Sequence, residues 1–354
     1  MKVGRSTRLL ACGAAWVLLG ALSPTPPTLA YDPSAFDDAP APRPRAEEPP
    51  AAAPAPARDR VEHQLTIDFA AIADSNATNG TRLREVPVLS GDERVPVPLD
   101  PRLRQKRAFG RSAALSASLK VPVTPAAKLT LSGEAYIVDY PGAIADDAWV
   151  SAAAGVELGR DGRRTTLEAM LFDRWYAHET AMAGWGVRAT HREPIATGQS
   201  LRAVAEARFY NSGYGPAFDG RQASLWLSYD AVLDPTLTAS ASVYARRDAL
   251  RDRAYASTEV GGYGSLAHYL GPDLTGSASV GLARAWFDEP IPFLSTSSRA
   301  DWRPWLALSL TTRRPLLWGF SPSLSYSFGR TFSTLPFYES DRHRLRLGVA
   351  RTFR

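Results

Sequence analysis

The sequence predicts an all-β fold: a transmembrane antiparallel β-barrel of about 14 strands, preceded by a signal peptide and a disordered Pro/Ala-rich segment. Three observations carry this prediction. Short segments alternating apolar and small or polar residues recur from residue 61 to residue 354. The N-terminus reads as an export signal. No later run offers the roughly 18 uninterrupted apolar residues that a membrane helix needs, so any crossing must be made by strands.

In the export signal, MKVGRSTR supplies a positive n-region and LLACGAAWVLLGAL, residues 9–22, an apolar h-region. Thr28-Leu29-Ala30 is an A-x-A-like cleavage site, giving a signal peptide over residues 1–30 and export from a bacterial cytoplasm. The single cysteine, Cys12, lies inside this segment, so the mature chain would hold no thiol and no disulfide. A lipoprotein box places its cysteine after the apolar stretch, whereas Cys12 stands near its start.

Residues 31–60 contain APAPRPRAEEPPAAAPAPARDR. Proline at that density removes amide donors and favours extended, solvated chain, so this reads as a disordered periplasmic spacer.

From residue 61 onward the period is two. ALSASLKV sets Leu115, Ala117, Leu119 and Val121 on one parity, and KLTLSGEAYI does the same with Leu129, Leu131, Ala135 and Ile137. LRAVAEARFY opposes Leu201, Ala203, Ala205, Ala207 and Phe209 to Arg202, Glu206 and Arg208. SLWLSYD, TLTASASVYAR and DWRPWLALSLTTRR continue the pattern. DGRR at 161–164, LDPT at 233–236 and GPDL at 271–274 read as turns, and residues 72–107 as a longer loop. The spacing, about 21 residues per strand and connector, suits strands of about 10 residues.

Such strands could form a sandwich, a propeller or a barrel. The apolar set here is thin, mostly Ala and Leu, and the opposite set is small and polar, with charges such as Glu157, Glu168 and Arg246. Trp149, Trp175, Tyr210, Trp302 and Trp318 stand near expected strand ends, as an interfacial girdle requires. A barrel also removes edges that lipid cannot satisfy. In PLLWGFSPSLSYSFGR, residues 315–330, Trp318, Phe320, Pro322, Leu324, Tyr326 and Phe328 would face lipid. Ser321, Ser323, Ser325 and Ser327 would face the lumen, with Arg202, Glu206 and Arg208 as further lumen candidates. Pro322 inside a strand calls for a bulge or an unpaired amide position; a bulge there would ease lateral opening of the closing seam. The final strand carries Leu345, Leu347, Val349 and Phe353 on one face and Gly348 opposite, the pattern of a signal read by the barrel-assembly machinery.

FAAIADSNATNG, residues 69–80, and the run from Trp318 to the C-terminus together resemble the barrel domain of the surface lipoprotein assembly modifier family. Asp74, Ser75 and Asn76 match its Asp-Ser-Asn motif after the first strand. Trp318, Gly319 and Pro322 match a Trp-Gly-x-x-Pro strand, Ser333, Phe337 and Tyr338 a Ser…Phe-Tyr loop, and Phe353, here penultimate before Arg354, the phenylalanine that ends the family's final strand. The resemblance covers residues 61–354 and implies a 14-stranded barrel that moves lipoproteins or secreted binding proteins to the surface of a Gram-negative cell. Members often carry a helical-repeat periplasmic domain before the barrel. Here residues 31–60 take that place, which leaves recruitment to a separate protein or marks a divergent member with another task. From the residues alone, Asp74, Ser75 and Asn76 suit an Asx-type turn at a strand end.

The chemistry of an enzyme is missing from the sequence. The five histidines, His63, His178, His191, His268 and His343, are scattered without metal-ligand spacing, and no G-x-S-x-G elbow occurs. No cofactor or metal is expected. The net charge of +5 is spread without a basic stripe, so a nucleic-acid partner is not indicated. The expected partners are outer-membrane lipid, the assembly machinery and a client lipoprotein or secreted protein. Parity alone leaves open a passive porin-like channel for small solutes, or a structural barrel acting through its loops.

Overall fold

The computed structural model describes residues 60–354 apart from residues 92, 141, 143, 144, 161, 178, 272, 313, 316 and 317. The signal segment, nearly all of the Pro/Ala-rich segment, and His178 therefore lie outside the described residues.

The alternating segments become strands. Barrel strand β1 spans Glu62–Asp74, followed by a small hairpin of β2 (Glu85–Ser90) and β3 (Glu93–Pro98). The barrel continues with β4 (Ala108–Thr124), β5 (Ala127–Asp139), β6 (Asp147–Arg160), β7 (Arg163–Tyr176) and β8 (Glu179–Ala196). Next come β9 (Gln199–Asn211), β10 (Gly220–Asp234), β11 (Leu237–Leu250), β12 (Ser257–Tyr269) and β13 (Leu274–Phe287). Strands β14 (Ala300–Thr312), β15 (Ser321–Ser333) and β16 (Ser340–Phe353) complete it. Each barrel strand pairs antiparallel with its sequence neighbour, and β16 returns to β1, so fourteen strands close with no free edge. The seam register runs unbroken from Leu65–Phe353 to Asp74–Arg344.

The two parities see different surroundings. Leu115, Leu131, Leu171, Val187, Val280 and Leu347 stand exposed on the outside. Their strand neighbours on the opposite parity, such as Ala153, Met170, Ser242 and Ala283, are buried inside. No helix among the described residues is long and apolar enough to cross a membrane. A closed barrel with an apolar exterior and a polar interior is an outer-membrane barrel. Tight connections such as 125–126, 161–162, 197–198 and 235–236 gather at the end that also holds the start of β1 and the end of β16. Short turns are periplasmic in such barrels, so the longer loops face outward from the cell.

Four sequence expectations change. Residues 72–107 are not simply a loop: β1 runs to Asp74, and the stretch carries the β2–β3 hairpin, paired from Glu85–Pro98 to Ser90–Glu93. Trp318 and Gly319 belong to the β14–β15 turn, because both hold positive φ, 47° and 83°, which a strand cannot accommodate. Pro322 makes no bulge: the β15–β16 register is continuous through Pro322–Val349, while the β14–β15 ladder starts at Ser323 and asks no amide of it. That ladder is instead interrupted between Trp302–Phe332 and Trp305–Gly329, beside Pro304, which has no amide hydrogen to donate. Without a bulge, Pro322 does nothing to ease lateral opening of the seam. Finally, Trp149 and Tyr210 point inward, Trp149 stacking on Phe172 at 5.5 Å. Outward aromatics at the loop end include Phe109, Trp175, Phe209, Trp286, Trp302 and Phe332.

Placing a charge on the apolar belt should cost far more than on the lumen face. Val280→Arg, at a position 61% exposed on the outside, is expected to lose about 2–4 kcal/mol of stability if it lies near the bilayer midplane. Urea titration of the barrel folded into lipid vesicles measures this, with Ser279→Thr on the inner face as the near-neutral control.

Candidate functional site: a polar lumen under a capped mouth

Inward side chains divide the lumen into zones. Toward the periplasm, β10 to β15 form a wall of small hydroxyls. Ser228 bonds Ser242 at 2.8 Å, Ser240 bonds Ser265 at 2.7 Å, and Ser277 bonds Ser309 at 2.7 Å. Ser325 continues this wall beside Ser309, and Ser327 and Ser323 stand beside Ala307 and Thr311. Ser321 begins β15 opposite Ala350. The facing wall is charged: Lys120 meets Glu157 at 2.6 Å and Arg188 meets Glu168 at 3.0 Å. Glu206 lies 2.5 Å from Arg208 and 3.9 Å from Arg188. Nearer the loops, in register with Gln222, the Arg208 guanidinium sits over the Trp149 and Phe172 rings at 5.4 and 5.5 Å. Arg202 stands between Arg192 on β8 and Ser228 on β10.

Toward the loops, an ionic lattice ties β10, β11, β12 and β14 together. Gln222 Nε2 donates to Asp248 at 2.7 Å, and Arg246 lies 3.1 Å from Asp248 and 3.2 Å from Glu259. Tyr244 donates to Glu259 at 2.9 Å. Arg303 bridges Glu259 at 2.5 Å and Asp301 at 2.7 Å, and Arg299 closes the chain on Asp301 at 2.5 Å. Arg303 is 0% and Glu259 1% exposed. Such buried charges persist only because each cation has its carboxylate, Arg246, Arg299 and Arg303 against Asp248, Glu259 and Asp301.

The family-motif residues sit at three places. Asp74, at the end of β1, accepts from the Arg342 guanidinium at 2.6 and 2.9 Å, from Arg344 at 3.2 Å and from the Tyr140 hydroxyl at 2.7 Å. Burial pushes the Tyr140 phenol above its ordinary range, so it remains the donor. Asp74 Oδ1 also takes the Asn76 amide at 2.9 Å, which forms an Asx-type turn. Asn76 is fully buried: its Nδ2 donates to the carbonyls of Gly80 and Asp341, and its Oδ1 accepts from Gly80 N. Both amide hydrogens are thereby used, while the single hydrogen of the nearby Thr78 hydroxyl goes to the Arg104 carbonyl at 2.7 Å. Ser75 exchanges bonds with His343 of β16, its amide donating to the carbonyl at 2.9 Å and its Oγ accepting from the amide at 2.8 Å.

At the opposite end, the Trp318 carbonyl accepts from Arg351 Nη1 at 2.8 Å. A Cβ on Gly319 would meet Arg351 Cζ at 2.9 Å, so the absent side chain lets that guanidinium close over the turn. Arg351 also lies over the Phe353 ring at 4.6 Å, beyond the outward Leu345, Leu347 and Val349, while Gly348 faces Ser323 on the inner side. The third place is the mouth. Ser333 ends β15 and takes the Leu335 amide at 3.2 Å. The turn that follows carries Phe337 and Tyr338, whose rings meet edge-on at 5.0 Å. The Arg299 guanidinium lies 3.5 Å from the Tyr338 ring centroid.

These loop residues seat the hairpin. Val86, Val88 and Leu99 pack with Ala254, Ile291, Leu294, Leu335 and Tyr338, and the Leu89 amide donates to Phe293 O at 2.9 Å. The first loop thus folds back across three others and caps the outer mouth. Neither the cap nor the ionic lattice was reached by sequence reasoning. The cap had a signal, since Val-Pro-Val recurs on either side of Gly91, a turn glycine with φ 65°. The described histidines, His63, His191, His268 and His343, lie on separate strands. His191 bonds Thr165 at 2.9 Å and His343 bonds Tyr326 at 2.8 Å.

Comparison with known proteins gives one family. The family described as surface lipoprotein assembly modifier matches residues 102–353, from just before β4 to the end of β16. No curated protein matches the chain. Among solved structures, it is similar to a bacterial polysaccharide outer membrane secretin, at 10% identity and TM-score 0.42 over 82% of this chain and 98% of that one. It is also similar to OprD of Pseudomonas aeruginosa, at 9% identity and TM-score 0.39 over 84% and 97% of the two chains. A loop L8 deletion mutant of OmpT, an outer membrane protein of Vibrio cholerae, shares 6% identity and a TM-score of 0.41, over 83% and 99% of the two chains.

Removing the Asp74 carboxylate takes a buried anionic partner from both Arg342 and Arg344. Asp74→Ala is expected to cost about 3–5 kcal/mol, and Asn76→Ala about 2–3 kcal/mol through the backbone groups it leaves unpaired. Both should appear as a lowered temperature for loss of the compact barrel band on unboiled gels.

Proposed function

Because the chain belongs to the surface lipoprotein assembly modifier family, we propose that it helps translocate or display lipoproteins or secreted binding proteins at the cell surface. The observation that carries this reading is the pairing of a lumen walled by small hydroxyls with a mouth closed by a separate hairpin. A polypeptide sliding past Ser277, Ser309 and Ser325 meets short side chains that offer hydrogen bonds and no deep apolar grip. The cap holds to the loops through a small apolar cluster, so it can be displaced without opening the barrel wall. The ionic lattice beneath it must then rearrange during passage, with client groups or water replacing its partners. The barrel acts without a catalytic group or cofactor of its own. Its partners in this reading are the outer-membrane lipid around it, the assembly machinery that reads the last strand, and the client that enters from the periplasm.

A passive porin-like channel is the competing reading, and the charged wall with Glu206 and Arg208 favours it. The two differ in resting conductance. In planar bilayers the wild type is expected to conduct little, because the hairpin packs over three loops of the outer mouth and the ionic lattice cross-links the wall beneath them. A paired Val86→Asp and Val88→Asp change should unseat the hairpin and raise the conductance several-fold. Large, constitutive conductance in the wild type would favour the channel. Surface exposure of candidate clients, measured by protease accessibility in cells with and without this protein, is the direct test. Normal display in its absence would sink the translocation reading.

A further inference from the structure

Cations on the inner wall of this barrel come with carboxylates. Arg188 has Glu168, Arg208 has Glu206 and Lys120 has Glu157. Arg164, Arg192 and Arg202 depart from that rule. Arg164 on β7 lies in register with Arg192 on β8, and Arg192 lies in register with Arg202 on β9. All three share the inward parity of Glu168, Arg188 and Glu206 on the same strands. Like charges therefore face one another across two consecutive ladders, an arrangement that costs free energy.

Nothing among the described residues offsets that cost with a direct ion pair. Arg192 spends its Nε and Nη2 on the Ser200 hydroxyl, at 3.2 and 3.1 Å. The Nε of Arg202 is buried and makes no hydrogen bond. Arg164 passes over Gly159, where a Cβ would meet its Cγ at 3.3 Å, so the missing side chain gives it room. Glu62, in electrostatic range of Arg164, is already bonded by Lys128 at 2.6 Å. The row stands beside the 161–162 and 197–198 turns, at the periplasmic mouth.

We propose that Arg164, Arg192 and Arg202 form an anion-binding row that receives an acidic polypeptide segment entering the lumen from the periplasm. Three adjacent strands spread the guanidinium groups over about 10 Å, wider than one carboxylate. An extended peptide repeats its same-side side chains about every 7 Å, so two acidic side chains span the row. The identity of the ligand as a polypeptide rests on the translocation reading; the anion site rests on the register alone.

The test uses the full chain in lipid nanodiscs and a fluorescent hexaglutamate peptide, followed by anisotropy. Wild type should bind it, more weakly as salt rises, and R164Q/R192Q/R202Q should bind about tenfold more weakly or worse. The triple lysine variant should retain most of the affinity. Undiminished binding by the glutamine variant would overturn the proposal, as would equal binding of hexaglutamine by the wild type. Inorganic phosphate competing as well as the peptide at equal charge would overturn the assignment to a polypeptide. Relief of repulsion also predicts that the glutamine variant melts no lower than the wild type. A lower melting temperature or failure to fold would reveal a stabilising partner and sink the argument. The assay needs no client, so it stands or falls separately from surface display.

Discussion

Around the Asp74 carboxylate, the first and last strands of the barrel are tied together. The backbone ladder between β1 and β16 satisfies amides and carbonyls that lipid would leave unpaired, and the price of that closure is a loop of nearly the whole chain. Asp74 holds the outer end of the ladder by binding Arg342 and Arg344 of β16 and Tyr140 from the β5–β6 loop. Asn76 and Ser75 extend the junction into the first loop. At the periplasmic end of β16, Arg351 clasps the Trp318–Gly319 turn. The motif residues thus serve the last strand at both of its ends, and the Phe337–Tyr338 turn in addition seats the cap.

Closure turns one parity of every strand toward a shared interior, and that interior is organised by charge. On the loop side the charges are compensated and buried, as in the lattice from Gln222 to Arg299. On the periplasmic side a hydroxyl wall faces a charged wall, and three arginines stand in a row. The asymmetry gives the lumen a direction: cationic at the periplasmic end, cross-linked and overlaid by the hairpin at the loop end.

Much of this was legible because β-structure reports its faces in the sequence at period two. Leu129, Leu131 and Ile137 against Thr130, Ser132 and Glu134 needed no structure to be assigned to opposite sides of β5. Parity misleads past a strand end. Trp318 continues the alternation of β15 on paper, yet the chain turns there, and the residue is 89% exposed. Trp149 and Tyr210 were given to lipid because they are aromatic and near strand ends. Their parity was the better guide: Trp149 shares the inner face with Asp147 and Ser151 of β6.

By itself the sequence determined the barrel class, the approximate number of strands, the side most strand residues face and the family. These follow from local periodicity and short motifs, which survive in one dimension. Tertiary structure decided which inward charges meet. The ion pairs of Arg303 with Glu259, Arg346 with Asp68 and Asp74 with Arg342 join residues far apart in the chain, and only strand order and register bring them together. The same holds for the cap, whose valines find their partners on three other loops, and for the arginine row, which exists only because β7, β8 and β9 stand side by side in that register.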